Sequence, residues 1–228
     1  MSRRVSDSVL DPWIAPAVPH LYRALHLPRA LPPEAIVIAG HIVALLGAVG
    51  FALSTSTRWG GFLAAAGVLG NHLCDMVDGT HARRTGQCRN GGELLDHFFD
   101  PLSFSAWMIG LGWACGRTEL AIVGILFVYA TAVLTNIRAK MTGEFRLSKV
   151  GPTEFKALLA LFGTALGTLA FAAPDRAVFA ATVGFTALCV AGAAQLVVGV
   201  VRSVRAVDRD GAKPDTSEWE WRGASSRS

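Results

Sequence analysis

Apolar residues gather into six runs of roughly twenty, at 35–53, 60–77, 94–115, 120–137, 155–173 and 178–201, with short polar stretches between them. A helix needs about 20 apolar residues to cross a hydrocarbon core. The pattern therefore predicts an all-α integral membrane protein, a bundle of six transmembrane helices. The first run begins behind too much polar sequence to be a cleaved signal peptide. Ahead of it, Val18, Leu21, Tyr22 and Leu25 recur at helical spacing with His20, Arg23 and His26 between them. Trp13 and Tyr22 are residue types found at the lipid headgroup level. This stretch reads as a short interfacial helix, opening near Pro16 and Pro19 and closed before Pro28, with Pro32 and Pro33 leading into the first span. Residues beyond Asp208 are polar and predict a disordered tail, or one lying on the membrane through Trp219 and Trp221. The expected organisation is an N-terminal segment, 1–31, a membrane domain, 32–203, and a tail, 204–228, with no repeat and no second domain.

Composition supports the membrane reading. The chain is 52% hydrophobic and only 17% charged, with a mean hydropathy of +0.42, whereas soluble domains carry about a quarter charged residues. The net charge of +4 does not indicate nucleic acid, because its placement follows topology. Arg3, Arg4, Arg23 and Arg29 precede the first run, and Arg83, Arg84 and Arg89 follow the second. Arg138, Lys140, Arg146 and Lys149 follow the fourth, and more basic residues fill the tail. The other side holds only Arg58, Arg117 and Arg176. Cytoplasmic loops collect Lys and Arg, so both termini are expected in the cytoplasm, in a cell membrane. Cys74, Cys88, Cys115 and Cys189 suggest no disulfide framework and no zinc site, and read as packing residues or free thiols. His41, alone in the first run, reads as packed or hydrogen-bonded to a neighbouring helix. Recurrent glycines, among them Gly40, Gly47, Gly50, Gly61, Gly67 and Gly70, predict close helix approaches.

The candidate chemistry lies between the second and third runs. Asp75 and Asp78 close one, and Asp96 and Asp100 open the next, at spacings of three and four that place each pair on one helix face. Two helices joined by the intervening turn can aim all four carboxylates at one point. An Asp near mid-membrane costs about 2.5–3.5 kcal/mol, so four unpaired ones would cost roughly 10–14 kcal/mol. They must lie near an interface, line a wet cavity or share bound cations. Hard divalent ions take oxygen ligands, and Mg²⁺ is typically held by a few carboxylates together with substrate phosphates. A capped Asp-Gly turn with solvated acids is the plainer alternative. Gly79 and Gly92 remove side chains where a nucleotide would lie against backbone, and Arg83 offers a planar fork for phosphate oxygens.

The stretch Asp75-x2-Asp78-Gly79-x2-Ala82-Arg83-x8-Gly92-x3-Asp96-x3-Asp100 resembles, at every fixed position, the signature of the CDP-alcohol phosphotransferases. The resemblance extends over about residues 20–200. It implies that Asp75, Asp78 and Asp96 ligate Mg²⁺ or Mn²⁺, as a pair of ions, and that Asp100 both ligates and takes the proton from the attacking hydroxyl. It further implies that Gly79, Ala82, Arg83 and Gly92, with Asp75, bind the CDP portion of a donor, that CMP leaves, and that the protein is a homodimer. The motif fixes the reaction and leaves the alcohol open. Glu93 and His97 within Gly92-Glu93-Leu94-Leu95-Asp96-His97, and the Thr153-Glu154 pair, resemble the choline/ethanolamine branch, which joins CDP-choline or CDP-ethanolamine to diacylglycerol. Glu154 could then meet an amino or ammonium headgroup. In the other branch CDP-diacylglycerol meets a small polar alcohol, and Arg138, Lys140 and Lys156 could form an anion pocket for it. His97, four residues after Glu93, could pair with it. Two rivals use similar acids: a membrane prenyltransferase, whose acidic motifs lie far apart in a longer chain, and a divalent-cation transporter, which favours repeated or broken helices.

Overall fold

The computed structural model describes residues 3–213 and 216–217. Six long helices stand where the six apolar runs lie: α3 (Pro33–Leu53), α4 (Gly60–Thr85), α5 (Asn90–Cys115), α6 (Thr118–Thr142), α7 (Pro152–Ala172) and α8 (Ala177–Asp210). Before them come a strand, β1 (Arg3–Ser6), and two short helices, α1 (Asp11–Ile14) and α2 (Val18–Ala24), separated by a 3₁₀ turn, Ala15–Ala17. A second strand, β2 (Glu144–Leu147), lies between α6 and α7.

By length and apolarity, four of the described helical stretches can cross a membrane: Pro33–Leu53, Thr118–Thr142, Pro152–Ala172 and Pro174–Asp210. α4 and α5 are each 26 residues long, but the acids and basic residues at their joined ends dilute them. Their interruption marks the site.

Three expectations are corrected. The protein is mostly helical but not all-α, because β1 and β2 pair in parallel, Arg3 opposite Glu144 and Ser6 opposite Leu147. The interfacial segment is a broken helix starting at Asp11, earlier than Pro16, since Pro12, Pro16 and Pro19 each suit the first turn of a new helical piece. α8 runs through Asp210, past the apolar run that ends near Val201, because Arg202, Arg205 and Arg209 are good helix formers that suit a helix C-terminus. Trp219 and Trp221 lie outside the described residues.

Glycine sets how closely the helices approach. A Cβ built on Gly67 would lie 2.3 Å from Gly47 Cα, and one on Gly61 would lie 2.2 Å from Gly167 N. These two backbone contacts lock α4 against α3 on one side and α7 on the other. The core beneath them holds Phe51, Trp107, Leu111, Leu159, Leu166 and Phe185. Trp107 is fully buried and donates its indole N–H to the Ala44 carbonyl at 2.9 Å, so the largest core side chain leaves no orphan donor. Outward, α6 presents Ile122, Leu126, Tyr129, Val133 and Ile137 at helical spacing, all exposed. An apolar outer stripe of this kind suits lipid.

Candidate active site

α4 and α5 meet through a tight turn at the acid end of the bundle. Gly86 closes α4 in the left-handed conformation, φ 74°, and its N–H and that of Gln87 both return to the Ala82 carbonyl. Such a cap needs glycine. The turn sets the last turns of α4 beside the first turns of α5, and the four motif acids come together. Asp75, Asp78, Asp96 and Asp100 all line one narrow cavity of about 20 Å³, with Gly40 and His41 from α3, Asn71 and Cys74 from α4, and Phe99 and Ser103 from α5 among the other walls. Room of that size admits about one water-sized occupant.

Two polar wall residues escaped the sequence reading. Asn71, Asp75 and Asp78 follow at spacings of four and three, and so do Asp96, Asp100 and Ser103. Each trio forms one stripe on its helix. That continuation of the acid stripe into Asn and Ser was the available signal. Asn71 is buried, and its Nδ2 donates to the Gly40 carbonyl at 3.2 Å. This bond fixes the amide, and the buried Oδ1 accepts no hydrogen bond. An orphaned buried oxygen beside four carboxylates is the donor set a hard divalent ion takes. His41 Nδ1 lies 2.9 Å from Ser103 Oγ, the neighbouring-helix bond expected of it. His72, one turn ahead of Asp75, brings its Nδ1 to 3.8 Å from Asp75 Oδ2.

Among the described residues, no three His, Cys, Asp or Glu side chains are arranged about a single metal position. The cation between the acids is instead Lys156. Its Nζ donates to Asp75 Oδ2 at 2.8 Å and Asp100 Oδ1 at 3.2 Å, and its side chain is wholly buried. Lys156 therefore belongs to the acid site and not to the anion pocket expected with Arg138 and Lys140. Its register on α7 turns it inward, one turn past the helix start.

Glu154, expected as a headgroup contact, is engaged by the N-terminal segment and by the start of α7. Its Oε1 accepts from Ser8 Oγ, Val9 N and Leu10 N at 2.6, 2.8 and 3.0 Å, and its Oε2 accepts from Gly151 N at 2.8 Å. The carboxylate at once caps α7 and straps the N-terminal segment across the α6–α7 connection. The strap is reinforced by Thr153, which donates to Asp11 Oδ1 at 2.8 Å, and by Arg146, which donates to Asp7 through two nitrogens at 2.7 and 3.2 Å. Arg146 holds the exposed Asp7 carboxyl below the usual carboxylate range. Farther along the segment, Tyr22 OH bonds His81 Nδ1 at 2.9 Å, and His81 Nε2 reaches the Leu31 carbonyl at 2.9 Å. The carbonyl can only accept, so Nε2 carries the proton and Nδ1 accepts from the phenol.

The remaining candidates divide between two places. Arg83 is exposed on α4; its guanidinium is 3.4 Å from Thr80 Oγ1, and its Nη1 would lie 3.2 Å from a Cβ on Gly79. Gly79 thus leaves room for Arg83 as well as for any ligand. Gly92 does the same for Glu34, whose Oε1 would be 3.1 Å from a Cβ there and is bound by Arg89 at 2.6 Å. Ala82 supplies the capping carbonyl. Glu93, His97 and Lys140 line a second, wider cavity of about 460 Å³, with Asn136, Ala139, Gly143 and Phe145. His97 Nε2 lies 3.9 Å from Glu93 Oε1, and its ring packs on Phe145 at 4.7 Å between centroids. Arg138 is not in that wall; it reaches the Arg146 carbonyl at 3.4 Å. All four cysteines are free thiols.

The chain is 29% identical to "Cholinephosphotransferase 1" of Gallus gallus over 64% of its own length and 46% of that protein. It is 26% identical to "Phosphatidylinositol phosphate synthase" of Mycolicibacterium smegmatis, over 84% of its length and 89% of that protein. It is 32% identical to "Archaetidylinositol phosphate synthase" of Methanothermobacter thermautotrophicus, over 49% of its length and 53% of that protein. The chain thus spans about half the length, or less, of several curated relatives. A family model described as CDP-alcohol phosphatidyltransferase matches residues 31–204, which contain all six long helices but for the end of the last, and the chain belongs to that family.

Proposed function

We propose that this protein is a six-span membrane phosphotransferase that moves a phospho-alcohol group from a CDP-alcohol to an acceptor hydroxyl and releases CMP. The observation that carries this reading is the convergence of Asp75, Asp78, Asp96 and Asp100 on one cavity. With Asn71 Oδ1 they are the oxygen set that would hold Mg²⁺ or Mn²⁺. A bound divalent ion would offset charge on the pyrophosphate and make CMP a better leaving group. Asp100 takes the proton from the acceptor hydroxyl as it attacks the phosphorus of the transferred phospho-alcohol. The P–O bond to the CMP phosphate breaks, and the electron pair leaves with CMP. Arg83, free to swing at the exposed face of α4, pairs with donor phosphate oxygens, and Gly79 keeps the backbone beside it open. Charge placement supports a site and both termini on the cytoplasmic side, and the family resemblance supports a homodimer.

For the substrate, the aminoalcohol branch rests on the Gly92–His97 stretch, which puts Glu93 and His97 on the wider cavity, and on cholinephosphotransferases among the relatives. Glu154 does not support it, its Oε1 being bonded to the N-terminal segment and its Oε2 to Gly151 N. The alternative, CDP-diacylglycerol with a small polar alcohol, is favoured by Lys140 in the same cavity and by the near full-length match to a phosphatidylinositol phosphate synthase. CMP release in mixed micelles with Mg²⁺ or Mn²⁺ decides, with Asp96→Asn as blank. One arm holds CDP-ethanolamine or CDP-choline with diacylglycerol; the other holds CDP-diacylglycerol with serine, glycerol 3-phosphate or inositol 1-phosphate. Release in either arm establishes the reaction and selects the branch. No release above the Asp96→Asn blank in either arm sinks the reading for these donors.

A further inference from the structure

Lys156 presents a problem that the transfer reaction does not absorb. Among the described residues it is the only buried Lys or Arg, with 0% of its side chain exposed. A buried ammonium is tolerated only when paired and hydrogen-bonded. Lys156 has both requirements met, and by the two acids Asp75 and Asp100, which come from different helices. Its position is built. Phe155, beside it, packs edge-on against Phe104 at 5.2 Å, and the same Phe104 ring lies 5.5 Å from Lys156 Nζ. The capped start of α7, held by Glu154 and Gly151, fixes the register that sends the lysine inward. Three helices, α4, α5 and α7, therefore converge on one ammonium group.

The charge argument gives it a task. Four clustered carboxylates repel one another when no metal is bound, and one ammonium cancels one of those charges. Lysine carries a compact point charge on a flexible four-carbon stem, so it can give way to a stronger cation without moving the helix. We propose that Lys156 is a built-in counter-cation, which bridges Asp75 and Asp100 and offsets part of their charge in the metal-free protein, and which competes with a divalent ion for those same two carboxylates. It is a positioning residue that sets the affinity of the site. The inference rests on the metal-dependent reading above and goes beyond it, since a metal site needs no internal competitor.

The test uses the full chain in detergent micelles without nucleotide, comparing wild type with Lys156→Met and Lys156→Arg. Free Mn²⁺ is titrated by its electron paramagnetic resonance signal, and thermal unfolding is followed in EDTA and in Mn²⁺. Lys156→Met should bind Mn²⁺ about tenfold more tightly, within the range of ordinary site-to-site coupling. Its Tm should fall below wild type in EDTA and rise by more on adding Mn²⁺. Lys156→Arg, which keeps the charge, should bind no more tightly than wild type. If Lys156→Met folds only when prepared in Mn²⁺, the metal has replaced the lysine and the proposal stands. If it does not fold even then, or binds Mn²⁺ equally or more weakly, the proposal falls. If Mn²⁺ affinity is unchanged and a separate titration with a CDP-alcohol shows weaker binding by Lys156→Met, Lys156 is a phosphate contact and the proposal falls. Absence of Mn²⁺ binding by wild type would overturn metal-dependent transfer itself, and this inference with it.

Discussion

The two cavities at the acid end differ in nearly every physical respect. The narrow one, about 20 Å³, is walled by three closely packed helices and holds all four motif acids. The wide one, about 460 Å³, lies where α5 and α6 meet β2 and mixes Glu93, His97, Asn136 and Lys140. Close glycine approaches at Gly40–Cys74 and Gly47–Gly67 hold α3 against α4, two of the three helices around the first. The second is bordered by the Gly143 turn, φ 71°, and the short strand after it. A reaction shared by many alcohols needs rigid chemistry and an adaptable place for the alcohol. On the function proposed above, transfer belongs to the narrow cavity and acceptor choice to the wide one.

Substitutions can break that assignment. The largest expected effect is at Asp100. Asp100→Asn should lower turnover by about 10²–10⁴-fold, the usual contribution of a general base, while Mn²⁺ binding persists through the other acids. Near-wild-type CMP release would remove Asp100 as the base. Lys140→Ala, in the wide cavity, should raise KM for the alcohol or its phosphorylated form about tenfold with kcat little changed. An equal fall in kcat would mean that the two cavities act as one. Glu154→Ala removes the acceptor for Ser8, Val9, Leu10 and Gly151 and should cost about 1–3 kcal/mol, measured by thermal unfolding. Because Glu154 lies in neither wall, KM should stay unchanged; a raised KM would restore it as a headgroup contact.

The smallest effect is electrostatic. The Arg146 bond lowers the Asp7 pKa from its ordinary 3.8. A carboxylate with a lowered folded-state pKa contributes stability above its unfolded pKa and loses it as pH falls through the folded one. Protection of the amides at residues 5–8, taken relative to the intrinsic exchange rate at each pH, should therefore fall on acidification below about pH 4 and at neutral pH in Asp7→Asn. Protection insensitive to both would show that β1 is held by its strand pairing alone.

Much of this was legible because membrane helices and metal sites write themselves locally. Twenty apolar residues announce a helix whatever surrounds them, and spacings of three and four put Asp75 with Asp78, and Asp96 with Asp100, on one face before any packing is known. Gly116, at positive φ, ends α5 where its apolar run stops, whereas Gly86 ends α4 well past the run that closes at residue 77. His97 beside Glu93 followed from the same periodicity, and so would Asn71 and Ser103, had the stripes been carried one turn deeper.

The sequence by itself determined the six helices, the pairing of acids along each, and the motif that gives the family, because all of these depend on contacts within a few residues or on composition. Only the tertiary structure decided where Glu154 and Lys156 go. They lie two residues apart near the start of one helix, and no local rule says which faces the strap and which the acids. Glu154 is met by Ser8, Val9 and Leu10, and Lys156 by Asp75 and Asp100, all far away along the chain. Burial and charge pairing across α4, α5 and α7 settled that choice: a lysine turned into the bundle is stable only where carboxylates from other helices meet it.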